Sequence, residues 1–324
     1  MGGNRMAKSL AINNGVHSKS VWRRVRDNWQ MYLFLLLPVA WLIIFKYVPM
    51  YGAQIAFRKY TVKGGFTGSE WVGLYQFIKF FTSYSCKTTI MNTLVLSVYS
   101  LVVGFPLPII FALLLNSVRS KRWKSVVENV TYMPYFISAV VMVGMMLRIM
   151  DINTGIVANI YRLLTGNKQL PFNVMASGWG FRHLYVWSGV WQGTGWGSII
   201  YMAALSSVDP QLHEAATIDG ASRWKRLWHV DFPAIVPTIA ITLILRMGSL
   251  MSIGFDKTWL LQNDANIRSS EVIATYVYKV GLANASGNNY SYSTAINFFN
   301  SIVNLVMISV VNKIANKVSG SGLW

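Results

Sequence analysis

A polar stretch between two long apolar runs carries the side chains best suited to binding another molecule. It reads EAATIDGASRWKRLWHVDFP, residues 214–233, and opens with a glutamate followed by two alanines. A carboxylate can pair with an arginine through two hydrogen bonds, and small neighbours let a partner surface approach closely. The stretch therefore predicts a docking surface for a second protein. The same residues also fit an amphipathic segment anchored in lipid headgroups by Trp224 and Trp228.

The side chains that usually serve catalysis are scattered in this sequence. Its four histidines, His17, His183, His213 and His229, have no nucleophile or carboxylate pair at a catalytic spacing. The single cysteine, Cys86, cannot form a disulfide within the chain, and no Cys/His cluster has metal-ligand spacing. No G-x4-G-K-[ST] loop occurs, so we expect ATP hydrolysis to belong to another protein. The sequence predicts a chain that is not an enzyme and has no metal or cofactor of its own.

Six polar side chains lie inside the apolar runs or at their ends and are candidates for a substrate path. They are amides and cations: Arg246, Asn297, Asn300, Asn304, Arg148 and Lys46. The asparagines share one helix face at i, i+3 and i+7, where amides can donate to and accept from hydroxyl groups. Hydrogen bonding between helices is the alternative role for such amides.

The charges inside the apolar runs distinguish between kinds of transport. Arg246 is expected near the middle of the fifth apolar run and has no acidic residue within one helical turn, so it should face a cavity or a partner. Arg148 can pair with Asp151. None of the 11 acidic residues lies near the middle of an apolar run, and proton-coupled carriers usually need buried carboxylates there. A secondary carrier is therefore the weaker alternative to an ATP-driven transporter.

The composition identifies an integral membrane protein. Of the 324 residues, 53% are hydrophobic and only 12% are charged, and the mean hydropathy is +0.39, above that of soluble globular proteins. The net charge of +18 is compatible with nucleic-acid binding. However, the basic residues are spread along the chain without an RNP, zinc-finger or helix-turn-helix pattern. We therefore expect membrane lipid, and no nucleic acid, as a partner.

The apolar runs predict six membrane-spanning helices, since a bilayer core of about 30 Å needs about 20 apolar residues. They cover residues 30–50, 89–116, 127–149, 183–206, 232–254 and 292–314. Six spans place both termini on one side, where Lys and Arg are denser than in the longer segments opposite, so both termini are expected in the cytoplasm. We expect a basic N-terminal segment (1–29), a six-helix domain (30–316) and a C-terminal tail (317–324).

The polar stretch has the local signals of two short helices joined at a glycine. Asp209 is a candidate N-cap, Pro210 suits the first helical position, and Gly220 can adopt the left-handed conformation that ends a helix. Ser222 is a second candidate N-cap, and Pro233 is expected to open the fifth span. Residues 209–231 therefore predict a helix–glycine–helix elbow on the inner face of the membrane.

Two further patterns concern the segments around the spans. Apolar residues at helical spacing predict short helices in three outer segments, 73–81, 155–164 and 271–282. Gly189, Gly193 and Gly197 form a stripe of small residues that predicts close packing of the fourth span against another helix.

The elbow resembles the loop of permease subunits in binding-protein-dependent ABC importers. The family spacing is E-A-A-x3-G-x9-I-x-L-P, and this chain departs from it only by Val230 for Ile and Phe232 for Leu. The outer tract YGAQIAFRKY…WVGLYQF and the segment TYMPYFISAVV (131–141) are also similar to the carbohydrate-uptake permeases of that family. They most resemble the subgroup that imports oligo- and polysaccharides, which includes the first permease subunit of an alginate importer.

This resemblance implies an all-α permease with six membrane-spanning helices. It implies that the elbow is the coupling helix, which docks on a separate ATPase subunit. The coupling residues are then Glu214, Ala215, Ala216, Asp219, Gly220, Arg223 and Pro233. The implied partners are a second homologous permease, two ATPase subunits that bind ATP and Mg, an extracytoplasmic solute-binding protein and a saccharide. The implied location is the bacterial cytoplasmic membrane.

The cations of the apolar runs bear on whether the expected saccharide is acidic or neutral. Arg246, Arg148 and Lys46 would suit an acidic saccharide such as a uronate. Neutral sugars remain the alternative, because these cations can equally pair with acidic residues on the second permease. The resemblance implies the class of importer and leaves the sugar itself open.

Overall fold

The computed structural model describes residues 26–166, 173–283, 289–320 and 322–323 as a largely helical chain. It has two compact units, Met1–Ala53 and Gln54–Trp324. In the first unit, the apolar run predicted over 30–50 forms α1 (Trp29–Leu42), one π turn (Ile43–Tyr47) and α2 (Val48–Met50). A 3-10 helix, Tyr51–Phe57, follows and includes the first residues of the second unit.

The described residues of the second unit form one β-hairpin and the remaining helices. Strands β1 (Arg58–Lys59) and β2 (Glu70–Trp71) pair antiparallel, with Lys59 opposite Glu70. The helices are, in chain order, α3 (Tyr75–Thr82), α4 (Tyr84–Gly104), α5 (Pro106–Asn116), α6 (Lys121–Tyr132), α7 (Ala139–Ile149), α8 (Ile156–Thr165), α9 (Gly178–Ser206), α10 (Pro210–Ile218), α11 (Arg223–Arg226), α12 (Phe232–Met247), α13 (Phe255–Leu261), α14 (Ile267–Ser270), α15 (Ile273–Gly281) and α16 (Tyr290–Ser319). The helices predicted for the three outer segments are present as α3, α8 and α15.

Within the described residues, four helices are long and apolar enough to cross a membrane. They are Trp29–Phe57, Tyr84–Asn116, Arg223–Met247 and Tyr290–Lys317. A fifth span results if Lys121–Phe136 and Ala139–Ile149 are counted as one. Helix α9 has 29 residues, or about 43 Å at 1.5 Å per residue, but is rich in glycine, serine and tryptophan. These helices are compatible with the predicted six spans, and α16 extends into the predicted 317–324 tail.

The third predicted span, 127–149, is not one straight helix. The segments Lys121–Phe136 and Ala139–Ile149 meet at 96°. Pro134 lies in a 3-10 turn, Met133–Phe136, and Ser138 begins a new helix by accepting from the amide of Val141. Proline lacks an N–H and its ring clashes with a preceding carbonyl, so it ends the α-helical pattern here. The hydropathy pattern could not reveal this break because both halves are apolar.

The fifth predicted span, 232–254, has different limits in the structure. The helix runs from Arg223 to Met247 and includes one π turn, Leu227–Asp231. The wider turn precedes Pro233 and accommodates its ring, so the proline lies inside a continuous helix and does not open it. Residues 248–254 are outside the helix, which places Arg246 in the last helical turn and not in the middle of a span.

Helix α9 is the centre of the packed bundle. It packs against α4, α5, α6 and α12. One apolar cluster joins α9 to α5 and to the helix that starts at Arg223: Ile109, Ala112, Leu113, Tyr201, Leu205, Leu227 and Ile235. The hydroxyls of Tyr201 on α9 and Thr242 on α12 lie 2.9 Å apart. These contacts fix α12 against α9, so the polar residues at the end of α12 have a defined place.

Candidate functional site

The elbow begins with the N-cap that its sequence predicts. The Asp209 carboxylate accepts a hydrogen bond from the amide of Gln211 at 2.9 Å, and Pro210 occupies the first position of α10. The cap provides a partner for one of the amides that the helix itself leaves unpaired. The predicted start of the elbow is confirmed.

The end of α10 is a Schellman turn centred on Gly220. This glycine has φ +72°, its amide donates to the carbonyl of Thr217 at 3.1 Å, and the next amide, Ala221, donates to Ala216 at 2.9 Å. Glycine adopts positive φ without the strain of a Cβ. Ser222 then accepts from the amide of Lys225 and caps α11. The predicted helix–glycine–helix elbow is therefore confirmed.

The first helix of the elbow presents an uncovered surface. None of the residues of α10 is buried within the described chain. Its apolar side chains Leu212 and Ile218 are 54% and 86% exposed, so the rest of the chain leaves most of their surface uncovered. Of the predicted coupling residues, Ala216 is half-buried, and the exposed ones are Glu214, Ala215, Asp219, Gly220, Arg223 and Pro233. An uncovered apolar helix beside a carboxylate has the character of a protein-binding surface.

Side chains of α10 also contact the helix that carries the fifth span. His213 Nε2 lies 3.4 Å from the Asp231 carboxylate, which also accepts from the side-chain amide of Asn116 at 3.3 Å. Arg226 donates to the hydroxyl of Thr217 at 2.7 Å. These contacts, which the sequence did not predict, attach the elbow to the base of the fifth span.

At its far end the same helix borders a chain of cavities. Arg246 contributes to three of them, with volumes of about 180, 300 and 370 Å³. Polar side chains around the largest come from α4, α9, α12 and α13: Ser100, Tyr185, Gln192, Thr194, Arg246, Asp256 and Lys257. The sequence predicted Arg246 to face a cavity or a partner, and the structure places it on these cavity walls.

Lys257 is a cation of this cavity that sequence reasoning missed. Its ammonium donates to the backbone carbonyl of Tyr185 at 2.6 Å and lies 4.6 Å from the centre of the Tyr185 ring. Burial lowers the pKa of Lys257 from 10.5 to about 8, because removal from water disfavours the charged form. The sequence places Lys257 in an outer segment, and no local pattern shows that the segment folds back to Arg246.

The asparagine face of the last span does not line these cavities. Asn304 accepts from the amide of Met251 at 3.0 Å and donates to Ser252 at 2.9 Å, so it holds the segment that follows α12. Asn297 is exposed. The side-chain oxygen of Asn300 is buried and has no hydrogen-bond partner in the described part of the chain. For Asn304 the geometry favours the alternative role, hydrogen bonding between segments.

The two other predicted path cations lie elsewhere. Arg148 is exposed in the last turn of α7. The pKa of the Asp151 carboxyl is lowered mainly by hydrogen bonds from Thr154 and Asn153, and the charge of Arg148 is the smallest contribution. Lys46 belongs to the N-terminal unit, where its ammonium lies 5.9 Å from the Trp41 ring.

The glycine stripe of α9 lines the cavities and packs closely against another helix at Gly197. Gly189 and Gly193 line the largest cavity, and Gly197 lines the neighbouring one. A Cβ at Gly193 would meet nothing within 4 Å, whereas a Cβ at Gly195 would lie 2.2 Å from the carbonyl oxygen of Thr131. The predicted close approach is confirmed at Gly197, where a Cβ would lie 3.3 Å from Pro108 of α5, and the tightest approach is at Gly195, outside the predicted stripe.

Membrane-length helices that enclose a polar cavity and end in an uncovered helical elbow define a membrane transport protein. Comparison with known proteins agrees. Residues 104–319 match the family described as binding-protein-dependent transport system inner membrane component. The chain therefore belongs to this family and is a transport subunit, not an enzyme. Membership also removes the secondary carrier as an alternative.

Named relatives and solved structures are similar over nearly the whole chain. Protein LplB of Bacillus subtilis (strain 168) is 40% identical over 320 residues, covering 99% of this chain and 98% of that protein. The polygalacturonan/rhamnogalacturonan transport system permease protein YteP of the same organism is 39% identical over 91% of this chain and 90% of its own. A chain from a bacterial alginate ABC transporter, in complex with an alginate pentasaccharide-bound periplasmic protein, matches with TM-score 0.83 and 35% identity, covering 94% and 99% of the two chains.

Proposed function

We propose that this chain is a permease subunit of an ATP-driven importer that carries acidic oligo- or polysaccharides. One relative is named for polygalacturonan transport, and the structural match comes from an importer of alginate, an acidic polysaccharide. The observation that carries the proposal for this chain is that Arg246 and Lys257 line one cavity of about 370 Å³.

The charges of that cavity favour an anionic ligand. The wall of the cavity carries two cations, Arg246 and Lys257, and one acidic residue, Asp256. A unit charge 4 Å away is attracted by about 4 kcal/mol at an effective dielectric constant of about 20. Gln192 and Thr194 add an amide and a hydroxyl to the wall, and both groups hydrogen-bond readily to sugar hydroxyls.

In the proposed complex the elbow transmits the action of ATP. Helix α10, with Glu214 on its exposed surface, docks on a partner ATPase, and two such subunits bind ATP and Mg. A second permease completes the path, and an extracytoplasmic solute-binding protein delivers the saccharide. The chain lies in the bacterial cytoplasmic membrane with both termini inside, a topology supported by the density of basic residues near the inner ends of the spans.

Uptake by the complete importer in proteoliposomes tests the acidic substrate. The two substrates are trigalacturonate and its methyl ester, which has the same rings without the charge. Arg246→Gln and Lys257→Gln should each slow uptake of the acid about tenfold, the effect of losing about 1.4 kcal/mol of attraction, and Arg246→Lys should lose less. Arg148→Gln is the matched control, because this arginine is exposed and outside the cavity. Equal losses for the acid and the ester would refute the acidic-substrate assignment.

A further inference from the structure

A second large cavity lies at the opposite end of the second unit from the elbow. Asn116, the last residue of the helical segment Tyr84–Asn116, contacts Asp231 beside the elbow. The other end of that segment begins at Tyr84, immediately after α3. The cavity is enclosed by the β-hairpin, α3 and the first turn of α16, and its volume is about 740 Å³. This is within the range of roughly 300–1,000 Å³ that small-molecule sites occupy.

The wall of this outer cavity has the chemistry of a sugar site. Its polar and aromatic side chains include Lys59, Tyr60, Tyr75, Gln76, Lys79 and Tyr290. Tyrosine rings provide flat apolar faces with a polar edge, which suit the C–H face and hydroxyls of a pyranose. The Lys59 and Lys79 ammonium groups are exposed and can pair with a carboxylate.

Hydrogen bonds hold the hairpin side of the cavity in place before any ligand binds. The amide of Tyr60 donates to the hydroxyl of Ser291 at 2.8 Å, which joins the hairpin to the start of α16. Within the hairpin, Ser69 accepts from the amide of Thr61 at 3.1 Å. Asn289 caps α16 by accepting from the amide of Tyr292 at 3.0 Å. A site whose walls are already ordered binds with a smaller entropy loss.

One wall residue has an unmet hydrogen-bonding capacity. Gln76 is only 5% exposed, lines the cavity, and its side-chain oxygen has no hydrogen-bond partner in the described residues. Buried amide oxygens are normally paired. Because the oxygen itself has almost no accessible surface, a hydrogen bond from a ligand hydroxyl requires rotation of the Gln76 amide toward the cavity.

The charges of the wall select among hydroxyl-rich ligands. Glu70 lies directly across the hairpin from Lys59 and offsets its charge. Lys79 has no such cross-strand partner, and its ammonium lies 5.1 Å from the Tyr292 ring. The wall therefore has a net positive charge, contributed by Lys79, at the side formed by α3. A carboxylate-bearing sugar matches this arrangement better than a neutral sugar does.

We propose that this outer cavity is an accessory saccharide subsite that binds an acidic sugar unit through Lys79, with the ring against the tyrosines. The proposal rests on the proposed function for the substrate class, but it concerns a site separate from the cavities that Arg246 lines. Such a subsite holds the part of a polysaccharide that has not yet entered the bundle.

Equilibrium binding of trigalacturonate to the complete importer, purified without its solute-binding protein, tests the subsite. The unmodified importer should bind this probe saturably. Lys79→Gln should weaken binding about tenfold, and Lys59→Gln combined with Lys79→Gln should weaken it further. Lys63→Gln is the matched control, because Lys63 is an exposed lysine of the same hairpin and is absent from the cavity wall. It should leave binding unchanged. Arg246→Gln should weaken binding only in the inner cavities, so saturable binding to the outer cavity should remain.

The other outcomes have distinct meanings. No saturable binding to the unmodified importer, or binding that Lys79→Gln leaves unchanged, refutes the subsite. If Arg246→Gln alone abolishes binding, only the inner cavities bind sugar, and the proposed function stands without the subsite. If the lysine variants leave probe binding intact but lower stimulation by the solute-binding protein, the cavity receives a side chain of that protein and not a sugar. If the methyl ester binds equally well, the acidic-sugar assignment is wrong.

Discussion

His213 on the first helix of the elbow and Asp231 at the base of the fifth span form a contact of 3.4 Å. Asp231 is 7% exposed, so its carboxylate needs partners inside the protein. Asn116 supplies one at 3.3 Å and His213 the other. These contacts therefore connect the elbow directly to the base of the fifth span.

Removing either partner of this contact should lower coupling. His213→Gln and Asp231→Asn are each expected to reduce sugar transported per ATP several-fold in the reconstituted importer. The double variant should lose little more than either single variant, because the two side chains act on each other. His229→Gln is the control, since this exposed histidine contacts only the Lys225 carbonyl of its own helix among the contacts described. Strictly additive losses would show that the pair does not act as a unit.

The exposed carboxylate of the elbow should matter for function and not for folding. Glu214→Ala is expected to leave the yield and melting temperature of the purified chain unchanged, because Glu214 is exposed, and to lower ATPase stimulation and transport together. Gly220→Ala should lower both and also cost about 1–2 kcal/mol of stability, since an L-residue is strained at φ +72°. Gln211→Ala, on the same helix, is the control. Full transport by the Glu214 variant would exclude this residue from coupling.

Much of the elbow could be predicted because its signals are local. Asp209, Gly220 and Ser222 form their caps with amides two or three residues away, so sequence spacing is sufficient. The contact between His213 and Asp231 joins residues of two helices, and no periodicity encodes it. Residue types and spacing therefore predicted the shape of the elbow but not its attachment.

The cavity was only partly predictable for a related reason. Arg246 was recognisable as a charge in an apolar run, but its neighbours come from α9 and α13. Lys257 joins them because the chain leaves the helix after Met247 and folds back, where hydropathy predicted the span to continue to 254. The break at Pro134 was missed similarly, because apolar residues flank it on both sides. Tertiary packing determines where these helices end or break, and the apolar composition alone does not show it.

The cavity should respond to pH through Lys257. Its pKa of about 8 means that the ammonium is mostly charged at pH 7 and mostly neutral at pH 9. Uptake of trigalacturonate should therefore fall as the pH rises through about 8, while uptake of the methyl ester should stay level. Lys257→Arg should flatten the profile of the acid, because a guanidinium stays charged throughout this range. An unchanged pH profile in that variant would assign the dependence to another group.

The two neighbouring glycines Gly195 and Gly193 should differ sharply in tolerance. A Cβ at Gly195 would lie 2.2 Å from the Thr131 carbonyl oxygen, so Gly195→Ala should destabilise the chain by about 1–3 kcal/mol through overpacking. Gly193→Ala has open space around it and should gain up to about 1 kcal/mol from helix propensity. Melting temperatures of the two purified variants compare them directly. Equal temperatures would mean that α6 and α9 do not approach closely at Thr131.

The asparagines of the last span should also separate by role. Asn304→Leu removes the hydrogen bonds to Met251 and Ser252 and leaves a backbone amide without its partner, which should cost about 1–3 kcal/mol. Asn297→Leu, at an exposed position, should change stability by less than about 0.5 kcal/mol. Thermal unfolding of the variants measures both. A stable Asn304 variant that transports poorly would return this residue to the substrate path.

The continuity of the helix from Arg223 to Met247 has a mechanical consequence. Its 25 residues form a rod about 37 Å long, with the elbow at one end and the cationic cavity at the other. Tilting such a rod by about 5° around its elbow end displaces the Arg246 end by about 3 Å, the length of a hydrogen bond. A small rotation imposed at the elbow would therefore be magnified, by leverage alone, into a displacement comparable to the hydrogen-bond distances around the cavity.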